Sequence, residues 1–144
     1  MRLSTKTKYG IRSLCELAEN YGKGLVQVRA IAQKQQVSAK YLEHLMAMLK
    51  SAGFIRSIRG SKGGYELTRS PEKIKLSDCF ATLEGDFIPA DCFEDLIGCK
   101  RADECRIKNF LHELQNAVYS VIDSKTLADL INDRKQTKNI SYQI

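Results

Sequence analysis

Apolar residues recur at helical spacing through most of this chain, and one short stretch alternates instead. The clearest helical segment has an apolar stripe made of Leu42, Leu45, Met46 and Leu49. Ser38 precedes the stripe and can accept from free backbone N–H groups, while Gly53 follows it and can adopt the left-handed conformation that closes a helix. The pattern therefore predicts a helix between these two residues, with one side packed and the other facing outward.

Directly after this helix the period changes from helical to alternating. Ile55 and Ile58 lead into the segment RGSKGG (residues 59–64), and Tyr65 and Leu67 follow it. Glycines can turn a chain sharply and let its backbone approach another surface. The sequence therefore predicts a two-stranded hairpin, or wing, with Arg59 and Lys62 at its tip.

Two more helical patterns precede this unit and one follows it. Ser4 begins a pattern that continues to about Tyr21, and the segment VQVRAIAQKQQ predicts a short helix joined by a brief turn to the helix after Ser38. A further short helix is expected from Lys75 to Leu83. Two helices joined in this way form a helix-turn-helix, which also occurs in proteins that never contact DNA; the basic hairpin favours the DNA-binding interpretation.

A longer apolar stripe lies towards the C-terminus, at the heptad steps four, three, four and three: Ile107, Leu111, Leu114, Val118 and Val121, widened by Phe110, Ala117 and Ile122. The alternative is that this helix packs against the helix-turn-helix and hairpin of its own chain, which we call the head. Because the head already has enough apolar residues to form its own core, we expect the helix to pair with a second copy and act as a dimerisation helix. A short helix from Thr126 to Ile131 and a loose polar tail are expected after it.

The expected fold class is mainly α with a small β wing, a winged helix-turn-helix head followed by a long dimerisation helix. Residues 1–84 form the predicted DNA-binding domain and residues 85–105 a cysteine-containing loop. Residues 106–131 hold the dimerisation helix and a short C-terminal helix, and residues 132–144 the tail.

Charge is distributed unevenly along the chain, whose net charge is +6. Residues 1–69 have 13 Lys and Arg against 4 Asp and Glu, and residues 70–144 have 10 against 13. A basic surplus confined to the head indicates a polyanionic partner, with an ordinary solvated surface as the alternative. The chain has neither a membrane-length apolar run nor a secretory signal, so we expect a cytoplasmic protein that does not bind membranes.

Candidate DNA contacts follow from these positions. Arg2, Lys6, Lys8 and Arg12 cluster at the start of the first helix, where backbone N–H groups also favour phosphate, so a contact with the DNA backbone that sets the docking orientation is expected. At the start of the helix that follows the turn, Ser38, Lys40 and Tyr41 are expected to reach base edges in the major groove. On the wing, Arg59, with Lys62 beside it, is expected to enter the adjacent minor groove.

Glu43 has a separate expected role. A carboxylate facing DNA is repelled by phosphate unless it accepts from a cytosine amino group, so Glu43 would discriminate between classes of site. The alternative is a plain solvated residue.

Five cysteines fall into two groups. Cys15 and Cys79 occupy apolar helical positions, where a thiol usually serves packing. Cys92, Cys99 and Cys105 follow the spacing C-x6-C-x5-C in a segment without helical or strand period. Closely spaced thiols in a reducing compartment favour zinc or an iron-sulfur cluster, although this is not zinc-ribbon spacing; unligated loop thiols are the alternative.

Four features together resemble the Rrf2 family of bacterial winged-helix regulators: the opening MRLSTKTKYGIRSL, the segment VSAKYLEHLMAMLKSAGFIRSIRGSKGGYEL, the three cysteines, and the long helix behind them. The similarity covers nearly the whole chain, and RGSKGGY after a helix containing YLE is its most specific part. It implies a homodimer with crossed long helices. It also implies an iron-sulfur cluster, [2Fe-2S] favoured over [4Fe-4S], ligated by Cys92, Cys99 and Cys105.

The chain departs from the family pattern at the fourth ligand. IscR-like members have a histidine three residues after the last cysteine, where this chain has Lys108, and NsrR-like members use a carboxylate from the partner's first helix, where this chain has Lys8. An ammonium group cannot ligate iron. His112, one turn further on, is a candidate, as are Asp91, Asp103, Glu104 or an external ligand; His112 could equally be a surface residue.

The expected function is a DNA-binding transcriptional regulator, a repressor that reads a palindromic double-stranded operator and whose DNA choice is set by the cluster. A cluster-free regulator controlled by a partner protein or by thiol oxidation is the alternative. A small redox enzyme or electron carrier is disfavoured, since the sequence has no C-x-x-C pair, nucleotide-binding glycine loop or paired catalytic carboxylates. We therefore do not expect an enzyme.

Overall fold

The computed structural model describes residues 2–87, 99–101 and 103–141, with side chains described as far as Arg134. The expected fold class, mainly α with one small sheet, is confirmed. No helix within the described residues is long and apolar enough to cross a lipid bilayer. The elements in chain order are α1 (Thr5–Glu19), α2 (Val28–Gln35), α3 (Ala39–Ser51), β1 (Ile55–Ile58), β2 (Gly64–Leu67), a 3-10 turn (Pro71–Lys73), α4 (Leu76–Leu83), α5 (Lys108–Asp123) and α6 (Leu127–Ser141).

Both predicted ends of α3 are confirmed. The Tyr41 backbone N–H donates to Ser38 Oγ at 3.1 Å, which satisfies one of the amides that a helix start leaves open. Gly53, just beyond the helix, has a φ of 81°, in the left-handed region. The turn between α2 and α3 also uses a left-handed residue, Gln36, with a φ of 55°. No sequence pattern indicated this conformation, because glutamine does not favour it.

The core lies where α1, α2, α3 and the hairpin meet. The apolar stripe of α3 is entirely buried there, and α1 contributes Leu14 and Leu17. Fully burying a leucine side chain stabilises a fold by about 2 kcal/mol relative to leaving it exposed. The packing therefore holds α3 by one face only, and its opposite face points outward.

The wing is a two-stranded antiparallel sheet whose register pairs Ile55 with Leu67 and Arg56 with Glu66. It is also attached to the rest of the head. Val26, just before α2, exchanges backbone hydrogen bonds with Tyr65 at 2.9 and 2.8 Å. A hairpin alone is marginally stable in water, so this third segment fixes the wing relative to the helix-turn-helix.

The predicted long helix is present as α5, and half of the residues of its apolar stripe are exposed in the single chain. Ile107, Phe110 and Val121 are 57%, 61% and 61% exposed. Ile122 is a correction: it was expected to widen this stripe, but it is buried in the core of the head. It lies at the edge of the stripe next to α4, so the head covers it first.

The C-terminal region requires a second correction. A loose tail was expected from residue 132, but α6 continues to Ser141. Thr126 and Asp129 cap its start reciprocally: the Thr126 N–H donates to Asp129 Oδ2 at 2.8 Å and the Asp129 N–H donates to Thr126 Oγ1 at 3.3 Å. Leu127 is buried, and Arg134 pairs with Glu19 of α1 at 3.1 Å. A capped and anchored helix continues without an apolar stripe of its own, which the sequence pattern could not show.

Candidate nucleic-acid interface

A pair of tyrosines connects the cations of α1 to the beginning of α3. Lys8 Nζ lies 4.7 Å from the centroid of the Tyr9 ring, and the Arg12 guanidinium lies 5.7 Å from it. The same ring meets Tyr41 edge to face, with centroids 6.2 Å apart. Such contacts are each worth about 0.5 to 1.5 kcal/mol. Tyr9 was not identified from the sequence, because nothing in the spacing predicts which α3 residue it would contact.

The expected phosphate contact at the start of α1 needs a partial correction. The Ser4 N–H donates to the Glu84 carboxylate at 3.2 Å, and the Thr7 N–H donates to Ser4 Oγ at 3.1 Å. These two amides are already satisfied within the protein, and a carboxylate beside them repels phosphate. The exposed side chains of Arg2 and Lys8, and the half-buried Lys6, remain as the predicted contacts of this region.

Glu84 is ionised at neutral pH in this arrangement. Partial desolvation raises the pKa of Glu84, but hydrogen bonds from Thr7 and Ser4 outweigh it and hold the pKa below the ordinary value of 4.5. The stabilising contribution of the carboxylate is therefore present above pH 4.5 and is lost as the pH falls through the lower folded value.

The start of α3 presents most of the predicted base-reading side chains. Ser38, Lys40 and Glu43 are exposed, whereas Tyr41 is half-buried by its contact with Tyr9. Ser38 uses one lone pair for the helix cap, so its hydroxyl can still donate to DNA. His44 was missed: it is exposed one turn after Lys40 on the same side of the helix. The spacing of four residues would have indicated it.

The tip of the wing is cationic and available. Arg59 and Lys62 are exposed, and neither forms an ion pair within the part of the chain that the structure describes. Arg56, by contrast, is paired across the strands with Glu66 at 2.7 Å. The two predicted wing residues are therefore the ones free to contact a polyanion.

A cavity of about 490 Å³ lies between the wing and the beginning of α2. Its described lining contains three cations, Arg29, Lys50 and Arg59, and no carboxylate. Lys50 is held towards β1 by a hydrogen bond from its Nζ to Ser57 Oγ at 2.8 Å. Arg29 and Lys50 were not singled out in the sequence. Their only signal was the basic surplus of the head, which does not say which cations share a surface.

The two packing cysteines are confirmed as such. Cys79 is wholly buried, and Cys15 packs against the same core. Desolvation, with smaller contributions from nearby carboxylates, raises the pKa of Cys15 to about 11 and that of Cys79 to about 12. Both thiols are therefore protonated at neutral pH.

The other cysteines differ in exposure. Cys99 and Cys105 are partly exposed, and Cys92 lies outside the described residues. The Cys105 carbonyl accepts from the Lys108 N–H at 3.4 Å, which places this cysteine in the turn that leads into α5. In the described residues no group of three or more His, Cys, Asp and Glu side chains could hold a metal ion. His112 is half-buried on α5.

Three packed helices, the third with an exposed outer face and followed by a two-stranded hairpin, define a winged helix-turn-helix DNA-binding protein. The model of the Rrf2 family, described as iron-dependent transcriptional regulators, matches residues 3–133. The chain belongs to the Rrf2 family of transcriptional regulators.

Several relatives support this assignment. The chain is 40% identical over 130 residues to the HTH-type transcriptional regulator CymR of Bacillus subtilis, covering 90% of this chain and 89% of CymR. It is 37% identical over 133 residues to Protein rrf2 of Nitratidesulfovibrio vulgaris, covering 92% of this chain and 89% of that protein. Among solved structures, CymR, titled the global cysteine regulator of B. subtilis, matches with a TM-score of 0.77 at 36% identity, covering 92% of this chain and 97% of that one. T. potens IscR also matches with a TM-score of 0.77, at 34% identity, covering 95% of this chain and 90% of the IscR chain.

The raised thiol pKa values predict which cysteines react. At pH 8 a thiol of pKa about 11 is thiolate in only about one molecule in a thousand. Brief iodoacetamide treatment of reduced, chelator-treated protein should therefore modify Cys99 and Cys105 at least about tenfold faster than Cys15 and Cys79, as measured by peptide mass spectrometry. The same treatment in denaturant should remove the difference. Equal rates for Cys15 and Cys105 in the folded protein would contradict the burial described above.

Proposed function

We propose that this regulator binds a palindromic double-stranded operator as a homodimer in the cytoplasm and represses transcription from it. The start of α3 would enter the major groove, with Ser38, Lys40 and His44 near base edges, and Arg59 would reach the adjacent minor groove. The observation that carries this proposal is the exposed face of α3, which contacts the cations of α1 through Tyr41 and Tyr9 and is followed by a wing whose Arg59 and Lys62 form no ion pair within the described residues.

Glu43 is proposed as the residue that restricts the choice of operator. It is exposed on α3 among cations, and no ion pair within the described residues neutralises it. Near DNA it would be tolerated where a cytosine amino group can donate to it and disfavoured elsewhere. Its role is thus to exclude sites rather than to add affinity.

The homodimer is proposed from the uncovered face of α5. Phe110 and Val121 lie on one side of this helix, Ile107 precedes its first residue at the same heptad spacing, and all three are more than half exposed in the single chain. A second copy placed about a two-fold axis would cover both faces at once. The same symmetry would place two α3 helices against two half-sites, which explains why the operator is expected to be palindromic.

We further propose that the cysteine segment, residues 85–105, controls which DNA sites are bound. This control can take two forms, and in the first the segment binds an iron-sulfur cluster. Thiolates of Cys92, Cys99 and Cys105 would hold the cluster, because soft sulfur ligands suit iron. The bound cluster would supply a redox-sensitive centre. The exposed Asp103 and Glu104 and the half-buried His112 are the nearby candidates for a fourth donor. The description of the family as iron-dependent and the similarity to IscR support this form.

Direct thiol chemistry, or a partner protein, is the second form. Two observations favour it: Cys99 and Cys105 are partly exposed, and Lys108 stands where IscR-like members have a histidine. The similarity to a protein titled a global cysteine regulator points the same way. In this form the segment would respond through oxidation of its thiols rather than through iron.

The DNA-binding proposal predicts a specific effect of the wing. Arg59→Ala should weaken binding to an operator selected from random duplexes by about tenfold and reduce the salt-dependence slope by about two per dimer, because one cation per wing is lost. Fluorescence anisotropy at several salt concentrations measures both. Lys73→Ala, which removes an exposed cation from the 3-10 turn, is the control and should stay within about twofold of the unmodified protein. Equal effects of the two substitutions would reject the wing as a contact.

The dimer proposal predicts that Phe110→Asp separates the subunits without unfolding them. Phe110 is 61% exposed in the single chain, so a charge there does not disturb the core but would be buried at the dimer seam. Sedimentation should show a dimer dissociation constant raised by at least about tenfold. Asn116→Asp adds the same charge on the opposite, exposed side of α5 and should leave association unchanged. A dimer that tolerates Phe110→Asp would place the interface elsewhere.

The two forms of control predict different results for protein purified without oxygen. A cluster predicts visible absorbance with bound iron and sulfide that is lost in Cys99→Ala and Cys105→Ala but kept in Cys15→Ala. A colourless protein after reconstitution, whose operator affinity changes on treatment with hydrogen peroxide, supports the thiol form. If neither iron loading nor peroxide altered the affinity, control by the cysteine segment would be rejected while DNA binding would stand.

A further inference from the structure

The root of the cysteine segment is bonded directly to the first turn of α1. Glu84 is the residue that ends α4, and its carboxylate accepts from the Ser4 N–H at 3.2 Å and from Ser4 Oγ at 2.7 Å. Thr7 Oγ1 donates to the same carboxylate. We call these three residues the clasp. It joins positions about eighty residues apart in the sequence, at the point where the predicted DNA-contacting cations begin.

The clasp lies beside a close contact between α1 and α4. The Thr7 side chain is wholly buried, and its hydroxyl lies against the Glu84 carboxylate and 3.1 Å from Ser4 Oγ. Deeper along α1, a Cβ placed on Gly10 would lie 2.7 Å from Leu83 Cδ1, which shows that α1 and α4 pack with almost no space between them. Displacement of Glu84 therefore acts on the first turn of α1 rather than being absorbed between the helices.

On its other side the clasp leads through a short segment to the dimerisation helix. After Gly85, which has a φ of 85°, the Phe87 N–H donates to the Tyr119 hydroxyl at 3.2 Å. Gln115 Nε2 donates to the Phe87 carbonyl at 2.8 Å. Both partners belong to α5. The cysteine segment thus starts between two attachments, one to α1 through Glu84 and one to α5 through Phe87.

Space for movement exists beside these attachments. A cavity of about 190 Å³ lies between α4 and α5 and is bordered by Leu3, Glu84 and Phe87. Much of its lining is apolar, including Phe80, Val118 and Ile122. Leu3 or Phe87 can move into this space without breaking the core of the head.

We propose that Glu84 is the positioning residue that couples the state of the cysteine segment to the DNA-contacting surface. In the unmodified state the clasp holds the first turn of α1, and with it Lys6 and Lys8. A change in the segment displaces Glu84, releases Ser4 and Thr7, and shifts α3 through the contact between Tyr9 and Tyr41. This inference rests on the proposed control by the cysteine segment and names the route by which that control reaches DNA.

The test compares Glu84→Ala and Glu84→Gln with the control Glu72→Ala in the full-length reduced protein. Glu72 is exposed on the 3-10 turn and has no hydrogen bond or ion pair within the described residues, so its removal matches the loss of charge without touching the clasp. N-ethylmaleimide is the probe that changes the segment, used briefly so that Cys15 and Cys79 stay unmodified, which mass spectrometry verifies.

Hydrogen exchange of residues 5–9 reports the clasp without DNA. In unmodified protein, N-ethylmaleimide should raise this exchange at least about threefold. Glu84→Ala should raise it by a similar factor before any reagent is added and should respond no further, whereas Glu72→Ala should behave as the unmodified protein. Glu84→Gln keeps an acceptor oxygen but not the charge, so its exchange should be intermediate. Glu84→Gln also replaces Glu84→Ala in this test if the alanine variant does not fold.

Operator affinity gives the second readout. N-ethylmaleimide should weaken binding by about fivefold or more in the unmodified protein and in Glu72→Ala, but by less than about twofold in Glu84→Ala. The inference is overturned if Glu84→Ala keeps the full response, or if exchange in residues 5–9 ignores the reagent in the unmodified protein. A protein that binds no duplex in any state would reject the proposed function instead, and the exchange result would still decide whether the clasp couples the two regions.

Discussion

Burial of one face of α3 is the constraint on which the rest of this structure depends. Leu42, Leu45, Met46 and Leu49 have no exposed surface, and together they hold the helix against α1, α2 and the hairpin. Because these residues recur every three or four positions, the side chains between them must face away from the core. The exposed face of α3 is therefore a consequence of packing, and the wing that follows α3 is fixed to the segment before α2 by the backbone bonds of Val26 to Tyr65.

The positive surface of the head is set by those cations that form no ion pair within the described residues. Lys34 is paired with Glu16 at 2.5 Å and Arg56 with Glu66 at 2.7 Å, so these cations are partly neutralised where they stand. Arg59 and Lys62 extend from the wing without such partners in the described structure, and Lys8 and Arg12 lie against the ring of Tyr9. Folding thus determines which cations of the basic head remain available on its surface.

The acidic residue Glu84 illustrates how a DNA-binding surface and a control segment can share one attachment. Its carboxylate occupies the start of α1, a position that would otherwise favour phosphate, and it does so from the position directly after α4. The next three residues reach α5, whose apolar face is uncovered. A change in the cysteine segment is therefore close, along the chain, to both the predicted DNA contacts and the proposed dimer seam.

The sequence alone determined α1 to α5, the wing and the fold class, because each depends on local periodicity, caps and glycines that act within a few residues. It also identified the cations of the wing and the packing role of Cys79. Only the tertiary structure decided that Glu84 bonds to Ser4 at the start of α1, that Tyr9 meets Tyr41, that Ile122 belongs to the head, and that α6 extends to Ser141. These depend on contacts between residues distant in the chain, and a periodic pattern does not specify which surfaces meet.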